Sequence, residues 1–251
     1  MEKKKRIHAL DEIRGFCVFC MVFFHCFFTM GFMYGGEISV ELFRFFSPVQ
    51  PCFAAAFIII CGISCHLSHN NLMRGLIILG ISLGVTAVSI FIIPEAPISF
   101  GILHLLSVSI LLYVPLKKLL AKIPLWLGLS LCVIFFFLTY NLQNGNLLFE
   151  PFEINLPKEL YSRNYLMIFG FIAPNTYYSD YFPLMPWLFA FLFGTFLGRF
   201  AKEEKFPKLM YKPRIPFLSM LGQNALIIYV LHQPIAYGIY YLLSLLGGIP
   251  Q

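Results

Sequence analysis

The sequence predicts an all-α fold, a polytopic transmembrane helical bundle of about seven spans with its N-terminus in the cytoplasm. Of the 251 residues, 59% are hydrophobic and only 12% are charged, whereas soluble domains carry about 25% charged residues. Apolar stretches long enough to cross a bilayer recur along the whole chain. The basic residues lie mainly on one side of these stretches, which is the third observation in favour of this fold.

The apolar runs define the spans in order. We place them at about 13–33, 52–68, 75–93, 98–116, 123–140, 183–200 and 217–247. The last run is long and contains the stretch "LHQP", where Pro234 removes a backbone donor. We therefore expect the last span to be kinked or split at Pro234.

The lysines and arginines fix the orientation. With "MEKKKR" in the cytoplasm, all of the 18 basic residues except Arg44, Lys158 and Arg163 fall on the inner side. This bias follows the positive-inside rule, and it also accounts for the net charge of +6 without any nucleic-acid partner. The inner clusters can serve topology alone, or they can also bind an anionic ligand.

The length suits a single transmembrane domain covering residues 1–251. The long non-spanning region, about 141–182, lies on the outer side and contains "YLMIFGFIAP", which is too short to cross a bilayer. The seven cysteines lie in or beside apolar spans, so we expect buried thiols rather than a redox or metal motif.

Three histidines lie deep inside predicted spans, where ionisable groups are costly and point to function. At 1.5 Å per residue, His25, His104 and His232 lie roughly 18, 20 and 22 Å above the inner edge. A shared depth favours one polar cavity. The alternatives are three separate packing residues, each bonded to a neighbouring helix, or a zinc site. No carboxylate or paired-histidine motif supports the zinc site, so we expect no metal.

In the first predicted span, "LDEIRGFCVFCMVFFH", helix geometry places polar residues from its two ends on the same face. Arg14 and His25 are eleven residues apart, which is about 20° past three full helical turns and roughly 16 Å along the axis. Both side chains therefore lie on one stripe. Asp11 can pair with Arg14 across one turn, and Gly15 leaves room for a close approach. The pattern fits a ligand with an anionic head and a long arm, although a proton path has the same layout.

Several stretches carry a family resemblance. "RIHALDEIRGFCVFCMVFFH" resembles the first transmembrane segment of the heparan-alpha-glucosaminide N-acetyltransferase catalytic-domain family, within the wider transmembrane acyltransferase group that includes the acyltransferase-3 family. Four further blocks resemble the same family in the same order: "FIIICGIS", "ISFGILHLLSVSILL", "SDYFPLMPWLFAFLFGTFLGR" and "LGQNALIIYVLHQP". Together they cover most of the chain outside 117–178.

The resemblance implies a membrane acyltransferase that moves an acetyl or other acyl group from cytoplasmic acyl-coenzyme A to an extracytoplasmic acceptor, such as an amino sugar or glycan. It implies a catalytic role for His25 and a partner role for Arg14. Lysosomal members carry another polar residue at the His25 position and a histidine in the following lumenal stretch, whereas residues 26–65 of this chain contain no histidine.

 In this chain, His25 itself must therefore supply the imidazole. The chain is also shorter than the lysosomal enzymes, so their sugar specificity is not carried over.

The chemistry and placement of the other polar residues predict roles for them in this reaction. Acetyl-coenzyme A, the expected co-substrate, would bind through its phosphates to Arg14, assisted by Asp11, Arg74 and Lys212. His25 would act as general base or transient acyl carrier, with His104 or His232 orienting it or stabilising the oxyanion. Asn224 would bind the pantetheine arm, or alternatively join two helices.

On the outer side, Asp180 is expected to hold the acceptor, although it can instead cap the sixth span. Trp187 and Tyr181, with Tyr177 and Tyr178, can stack on a sugar or form an interfacial aromatic belt.

A second class of function stays open. A proton-coupled small-molecule transporter could use the histidine layer as a relay, but the sequence shows no inverted repeat and no pair of broken helices. A purely structural subunit would leave the three histidines unexplained. We expect a multi-pass protein of a prokaryotic plasma membrane, surrounded by lipid. The sequence does not indicate its oligomeric state.

Overall fold

The computed structural model describes residues 5–92, 97–173, 176 and 180–246. The described residues form nine α-helices, several short 3₁₀ turns and one small antiparallel strand pair. The helices are α1 (His8–Tyr34), α2 (Glu37–Phe46), α3 (Gln50–Ser64), α4 (Asn71–Ile92), α5 (Ile102–Leu120), α6 (Leu125–Leu138), α7 (Leu184–Lys202), α8 (Pro216–Gln223) and α9 (Ala225–Leu245). The strands are β1 (Asn146–Leu147) and β2 (Ile154–Asn155).

The helices confirm the predicted all-α polytopic membrane fold. Six of the described helices, α1, α4, α5, α6, α7 and α9, are long and apolar enough to cross a membrane. Helices α2 and α3 together pass the same test as a pair bent by 58°, which raises the number of spans to as many as seven. The predicted end of the third span at residue 93 and of the last span at residue 247 lie outside the described residues.

The described chain divides into two compact units. The first comprises the chain up to Phe57 and from Glu204 onwards, and the second comprises Ile58–Glu203. The prediction of a single domain over 1–251 stays a prediction.

In the first unit, α1 packs against α2, α8 and α9. The α1–α8 crossing is very close, because a Cβ on Gly15 would lie 1.9 Å from the Leu218 carbonyl oxygen. A Cβ on Gly222 would likewise lie 1.8 Å from the carbonyl oxygen of Asp11. The space beside Gly15, which we expected a ligand to use, is therefore filled by the backbone of α8.

Helices α1 and α9 run in the same direction. His25 of α1 contacts His232 of α9, and nine residues further along α1, Tyr34 contacts Tyr240 of α9. When the first and the last span of a chain cross the bilayer in the same direction, the total number of spans is odd. This parity supports seven spans, with the bent α2–α3 pair as one of them.

The position of the break in the last span differs from the prediction. The helix ends at Gln223 and restarts at Ala225, whereas α9 continues through Pro234 without interruption. At the break, Asn224 has φ −102° and ψ 14°, and its side-chain amide donates to the Met220 carbonyl at 2.9 Å. This local side-chain bond competes with the helical pattern and ends α8, while the missing N–H of Pro234 costs α9 only one internal hydrogen bond.

In the second unit, α4 packs against α5, and α7 packs against α5 and α6. Helix α3 meets α7 at two glycines. A Cβ on Gly62 would lie 2.2 Å from the Phe191 carbonyl oxygen, and a Cβ on Gly194 would lie 2.1 Å from the Ile59 carbonyl oxygen. Each unit thus contains one helix crossing that only glycine permits, as expected where lipid supplies no hydrophobic force between helices.

The region between α6 and α7, predicted to lie on the outer side, is held by side-chain bonds to its backbone. The Tyr161 hydroxyl donates to the Leu142 carbonyl at 2.5 Å, and the Tyr161 ring lies edge-on to Phe171 with ring centroids 5.4 Å apart. Burial raises the pKa of the Tyr161 hydroxyl, so this group remains a protonated donor at neutral pH.

Replacing Gly222 by Ala should separate α1 from α8. The added methyl group meets backbone at 1.8 Å, so one helix must move, and we expect a loss of about 1–3 kcal/mol of stability. Gly80→Ala is the matched control, because no atom lies within 4 Å of a Cβ at that helical position. Thermal unfolding in detergent should show a lower midpoint for Gly222→Ala only; equal midpoints for both variants would contradict the crossing.

Candidate active site

The seam between α1 and α9 brings two of the predicted histidines together. The rings of His25 and His232 have centroids 5.1 Å apart and planes inclined by 52°. Both rings are partly buried, and none of the described residues hydrogen-bonds to the His25 ring. The structure thus pairs two imidazoles inside a membrane protein, where polar groups are costly and mark functional sites.

The tautomer of His232 follows from its neighbour. Its Nδ1 lies 2.6 Å from the Tyr229 carbonyl oxygen, which can only accept a hydrogen bond, so Nδ1 carries the proton. In the neutral ring Nε2 then holds a lone pair. This Nε2 is buried and has no hydrogen-bond partner among the described residues. A buried acceptor without a donor is uncommon in folded proteins and calls for an explanation such as a substrate or a catalytic role.

Polar bonds on the same seam fix the two helices around this pair. Thr29, which is fully buried, donates to the Gln233 side-chain oxygen at 3.3 Å. About two turns further along α9, the Tyr240 hydroxyl donates to the Cys26 carbonyl at 3.2 Å. Interhelical bonds of this kind hold register in a membrane, so the relative position of the two rings is well defined.

At the predicted cytoplasmic end of the same helix, one carboxylate holds two guanidinium groups. Asp11 accepts from Arg14 at 3.2 Å and from Arg6 at 2.8 Å, which confirms the expected Asp11–Arg14 pair. The cluster therefore places two guanidinium groups at this end of α1. Since α1 is one continuous helix from His8 to Tyr34, Arg14 and His25 do lie on one stripe.

Two further polar atoms near this end are buried without a partner. They are Nδ1 of His8 and the hydroxyl oxygen of Tyr211, for which the described residues supply no hydrogen bond. The first belongs to α1 and the second to the 3₁₀ turn Lys208–Tyr211, which packs against α1. This end of the first unit therefore combines two guanidinium groups with buried hydrogen-bonding atoms that have no partner among the described residues.

Glu12 joins α1 to the start of α8. Its carboxylate accepts the backbone N–H of Arg214 at 2.7 Å and that of Ile215 at 3.0 Å. Ile215 is the residue that precedes the first helical position of α8. Glu12 thus satisfies backbone donors at the N-terminal end of another helix, where negative charge is also favoured.

Removing the Glu12 carboxylate should loosen α8. Glu12→Ala leaves two backbone donors without their acceptor, and we expect a loss of about 0.5–2 kcal/mol, as for other lost caps. Glu12→Gln keeps one acceptor oxygen and should lose less. Hydrogen exchange at Arg214 and Ile215 checks this directly; slow exchange in Glu12→Ala would show that the carboxylate is not the cap.

His104 belongs to the second unit and has both ring nitrogens occupied. Its Nδ1 accepts the Gly101 N–H at 3.2 Å, so Nε2 carries the proton and lies 3.2 Å from the Thr86 hydroxyl oxygen. Thr86 in turn donates to the Ile98 carbonyl at 2.6 Å. This closed chain of bonds ties α4 to the start of α5. The structure brings His25 and His232 together, while a shared cavity that includes His104 stays a prediction.

Two of the remaining predicted donor-binding residues have local partners, and the third is exposed. Arg74, in the second unit, places Nη2 3.1 Å from the Cys61 sulfur. Asn224 lies at the α8–α9 break and bonds to Met220, as described above, while Lys212 is exposed just before α8. Their roles toward a donor stay predictions.

The predicted acceptor residues are also built into the fold of the second unit. Asp180, at φ 49°, accepts the Ile102 N–H at 3.4 Å and therefore lies at the start of α5, whereas α7 begins after Pro183. The Tyr181 hydroxyl donates to the Met167 carbonyl. Trp187 is only 7% exposed and packs between Phe136 and Phe182. Tyr177 and Tyr178 lie outside the described residues.

Comparison with known families decides the assignment. The sequence profile described as heparan-alpha-glucosaminide N-acetyltransferase, catalytic, matches residues 6–234. The chain belongs to this family. No match was found among curated proteins or among solved structures.

Membership in the heparan-alpha-glucosaminide N-acetyltransferase family makes the chain a multi-pass membrane protein of an acetyltransferase family, as the resemblance implied. The match ends at Pro234 and so includes both His25 and His232. Among the described residues, no group of three or more histidine, cysteine or acidic side chains could hold a metal ion.

Sequence reasoning missed three residues of the first unit: Glu12, Thr29 and Gln233. Glu12 lies near the start of its own helix, and nothing in the sequence shows that it caps another helix. Thr29 is four residues after His25, and Gln233 follows His232 directly. Their proximity to the two histidines was a usable signal, because polar residues in a span pair with one another.

Proposed function

We propose that this member of the family transfers an acetyl group from cytoplasmic acetyl-coenzyme A to an amino sugar or glycan on the other side of the membrane. The observation that carries the proposal is the His25–His232 pair, with the unpartnered Nε2 of His232, on the same helical stripe as Arg14. Family membership supports acetyl transfer. The donor, the acceptor and the direction are the parts proposed here.

The donor would lie along α1. Its phosphates would bind at Arg6 and Arg14, beside Asp11, where guanidinium groups form strong charge-assisted hydrogen bonds. Unsatisfied His8 and Tyr211 would supply further hydrogen bonds to the nucleotide end. The rise from Arg14 to His25 is about 16 Å, which suits an extended pantetheine arm.

The reacting carbonyl would then meet the histidine pair. A neutral imidazole can take the proton from the acceptor amine or hydroxyl as it attacks the thioester. It can also accept the acetyl group first and pass it on. In either case His232, fixed by Tyr229, holds its lone pair toward the site and can share the proton with His25.

The acceptor would approach from the outer side. The proposed contacts remain Asp180, Tyr181 and Trp187. These residues also pack at the starts of α5 and α7. The predicted setting is the plasma membrane of a prokaryote, where cytoplasmic acetyl-coenzyme A and extracytoplasmic glycans lie on opposite faces.

The test uses the purified full chain in detergent or nanodiscs. Free thiol released from acetyl-coenzyme A is measured alone and with a panel of amino sugars and glycans, and the products are examined by mass spectrometry for an added acetyl group. The proposal expects thiol release that an acceptor accelerates. A chain that never releases thiol, but moves a solute when a proton gradient is applied, would be a transporter instead.

A further inference from the structure

The end of α3 and the start of α4 form a small cluster in the second unit whose thiols the proposed reaction does not use. It consists of Cys61, Cys65, Asn71 and Arg74. Arg74 places Nη2 3.1 Å from the Cys61 sulfur and Nη1 4.0 Å from the Cys65 sulfur. No carboxylate lies within ion-pair distance of Arg74 in the described parts of the chain. A guanidinium in a membrane protein thus has sulfur atoms as its side-chain partners.

The two thiols are not equivalent. Cys65 donates its proton to the Cys61 carbonyl at 3.6 Å. Cys61 has no hydrogen-bond acceptor among the described residues, and its sulfur only receives a hydrogen bond from Arg74. Positive charge next to a cysteine favours the negative sulfur that develops as a thiol reacts. Cys61 is therefore the sulfur that this cluster prepares for attack.

The two cysteine side chains have polar groups on one side. Asn71 donates to the Cys65 carbonyl at 2.8 Å, while its own side-chain oxygen is buried without a hydrogen-bond partner among the described residues. A fully apolar pocket would make both thiols inert. Here a cation and an unsatisfied amide oxygen lie beside them.

We propose that Cys61 is a modification site for small disulfides, activated by Arg74. The Cys61 sulfur attacks one sulfur of the disulfide, a new sulfur–sulfur bond forms, and the disulfide bond of the reagent breaks. The second half of the reagent leaves as a thiol, and it carries the proton that Cys61 gives up. The Cys61 sulfur is oxidised and the departing sulfur is reduced, so no other oxidant is required. The site lies outside the first unit and does not depend on the proposed acetyl transfer.

The chain supplies its own matched controls. Cys61, Cys65 and Cys132 are 6%, 3% and 5% exposed, so access to the three sulfurs is similar. Only Cys61 lies at close hydrogen-bond distance from a guanidinium. A difference in rate among them therefore reports the chemical surroundings and not exposure. Cys52, which is exposed, serves as a measure of simple accessibility.

The experiment treats the full chain in detergent with dithiodipyridine, a small disulfide, and follows each cysteine by peptide mass spectrometry over time. We expect Cys61 to react about tenfold faster than Cys65 and Cys132. Arg74→Met should slow Cys61 by about tenfold with Cys132 unchanged, because the hydrogen bond to a charged group is lost. Arg74→Lys, which keeps the charge without the fixed fork, should give an intermediate rate.

A Cys61 rate equal to that of the other two buried thiols overturns the proposal, as does an unchanged Cys61 rate in Arg74→Met. If Arg74→Met does not fold, the ranking of the three thiols in the unaltered chain decides the question alone.

Discussion

Replacing His25 by Ala should abolish acetyl transfer while leaving acetyl-coenzyme A binding nearly intact. Loss of a general base alone costs about 10²–10⁴-fold in rate, and loss of a covalent carrier would cost more. His25 lies about three helical turns above Arg14, so it should meet only the reactive end of the donor. The described structure shows no hydrogen bond that the substitution would break, so the fold should survive.

The test pairs turnover with ligand-induced thermal stabilisation. His69→Ala is the matched control, because His69 is an exposed histidine of the second unit, and it should behave like the unaltered chain. His232→Ala should also lose most activity, since it removes the unpartnered Nε2. Full activity in a folded His25→Ala chain would move the chemistry to His232 or His104. Loss of binding together with activity would mean that His25 shapes the donor tunnel.

Replacing Arg14 by Ala should weaken acetyl-coenzyme A binding by about ten- to a hundredfold. Hydrogen bonds to charged groups contribute about 1.5–3 kcal/mol each, and losing one such bond weakens affinity by about ten- to a hundredfold. Asp11 would keep its bond to Arg6, so the start of α1 should remain ordered.

Calorimetric titration of the variant measures this loss. Arg44→Ala is the control, because Arg44 is exposed in the last turn of α2 and lies on the predicted outer side. Unchanged affinity in Arg14→Ala would leave Arg14 as a residue of topology and of the Asp11 pair alone.

Apolar run length was sufficient to predict the membrane-spanning helices. The condition that a span must be long and apolar depends on the sequence alone, so the predicted runs agree with the helices to within a few residues. Helical geometry was equally sufficient for Asp11, Arg14 and His25, because all three lie on one helix whose continuity the sequence made clear.

Features that depend on packing between helices could not be predicted in this way. Gly15 was correctly identified as a site of close approach, but only the fold shows that α8 makes that approach. Pro234 was expected to interrupt the last span, yet a neighbouring side-chain bond at Asn224 determines the break. Asp180 was expected to cap α7 or to bind an acceptor. Its carboxylate accepts a hydrogen bond at the start of α5, which is distant in sequence, and its acceptor role stays a prediction.

In the proposed mechanism, α1 separates donor binding at Arg14 from chemistry at His25. One measurement tests this separation most directly: the rate of thiol release as a function of acetyl-coenzyme A concentration, compared between Arg14→Ala and His25→Ala. We expect a KM raised by about ten- to a hundredfold and a nearly unchanged kcat for Arg14→Ala. For His25→Ala we expect a kcat lowered by at least about a hundredfold. Equal losses of kcat in both variants, with KM unchanged, would contradict it.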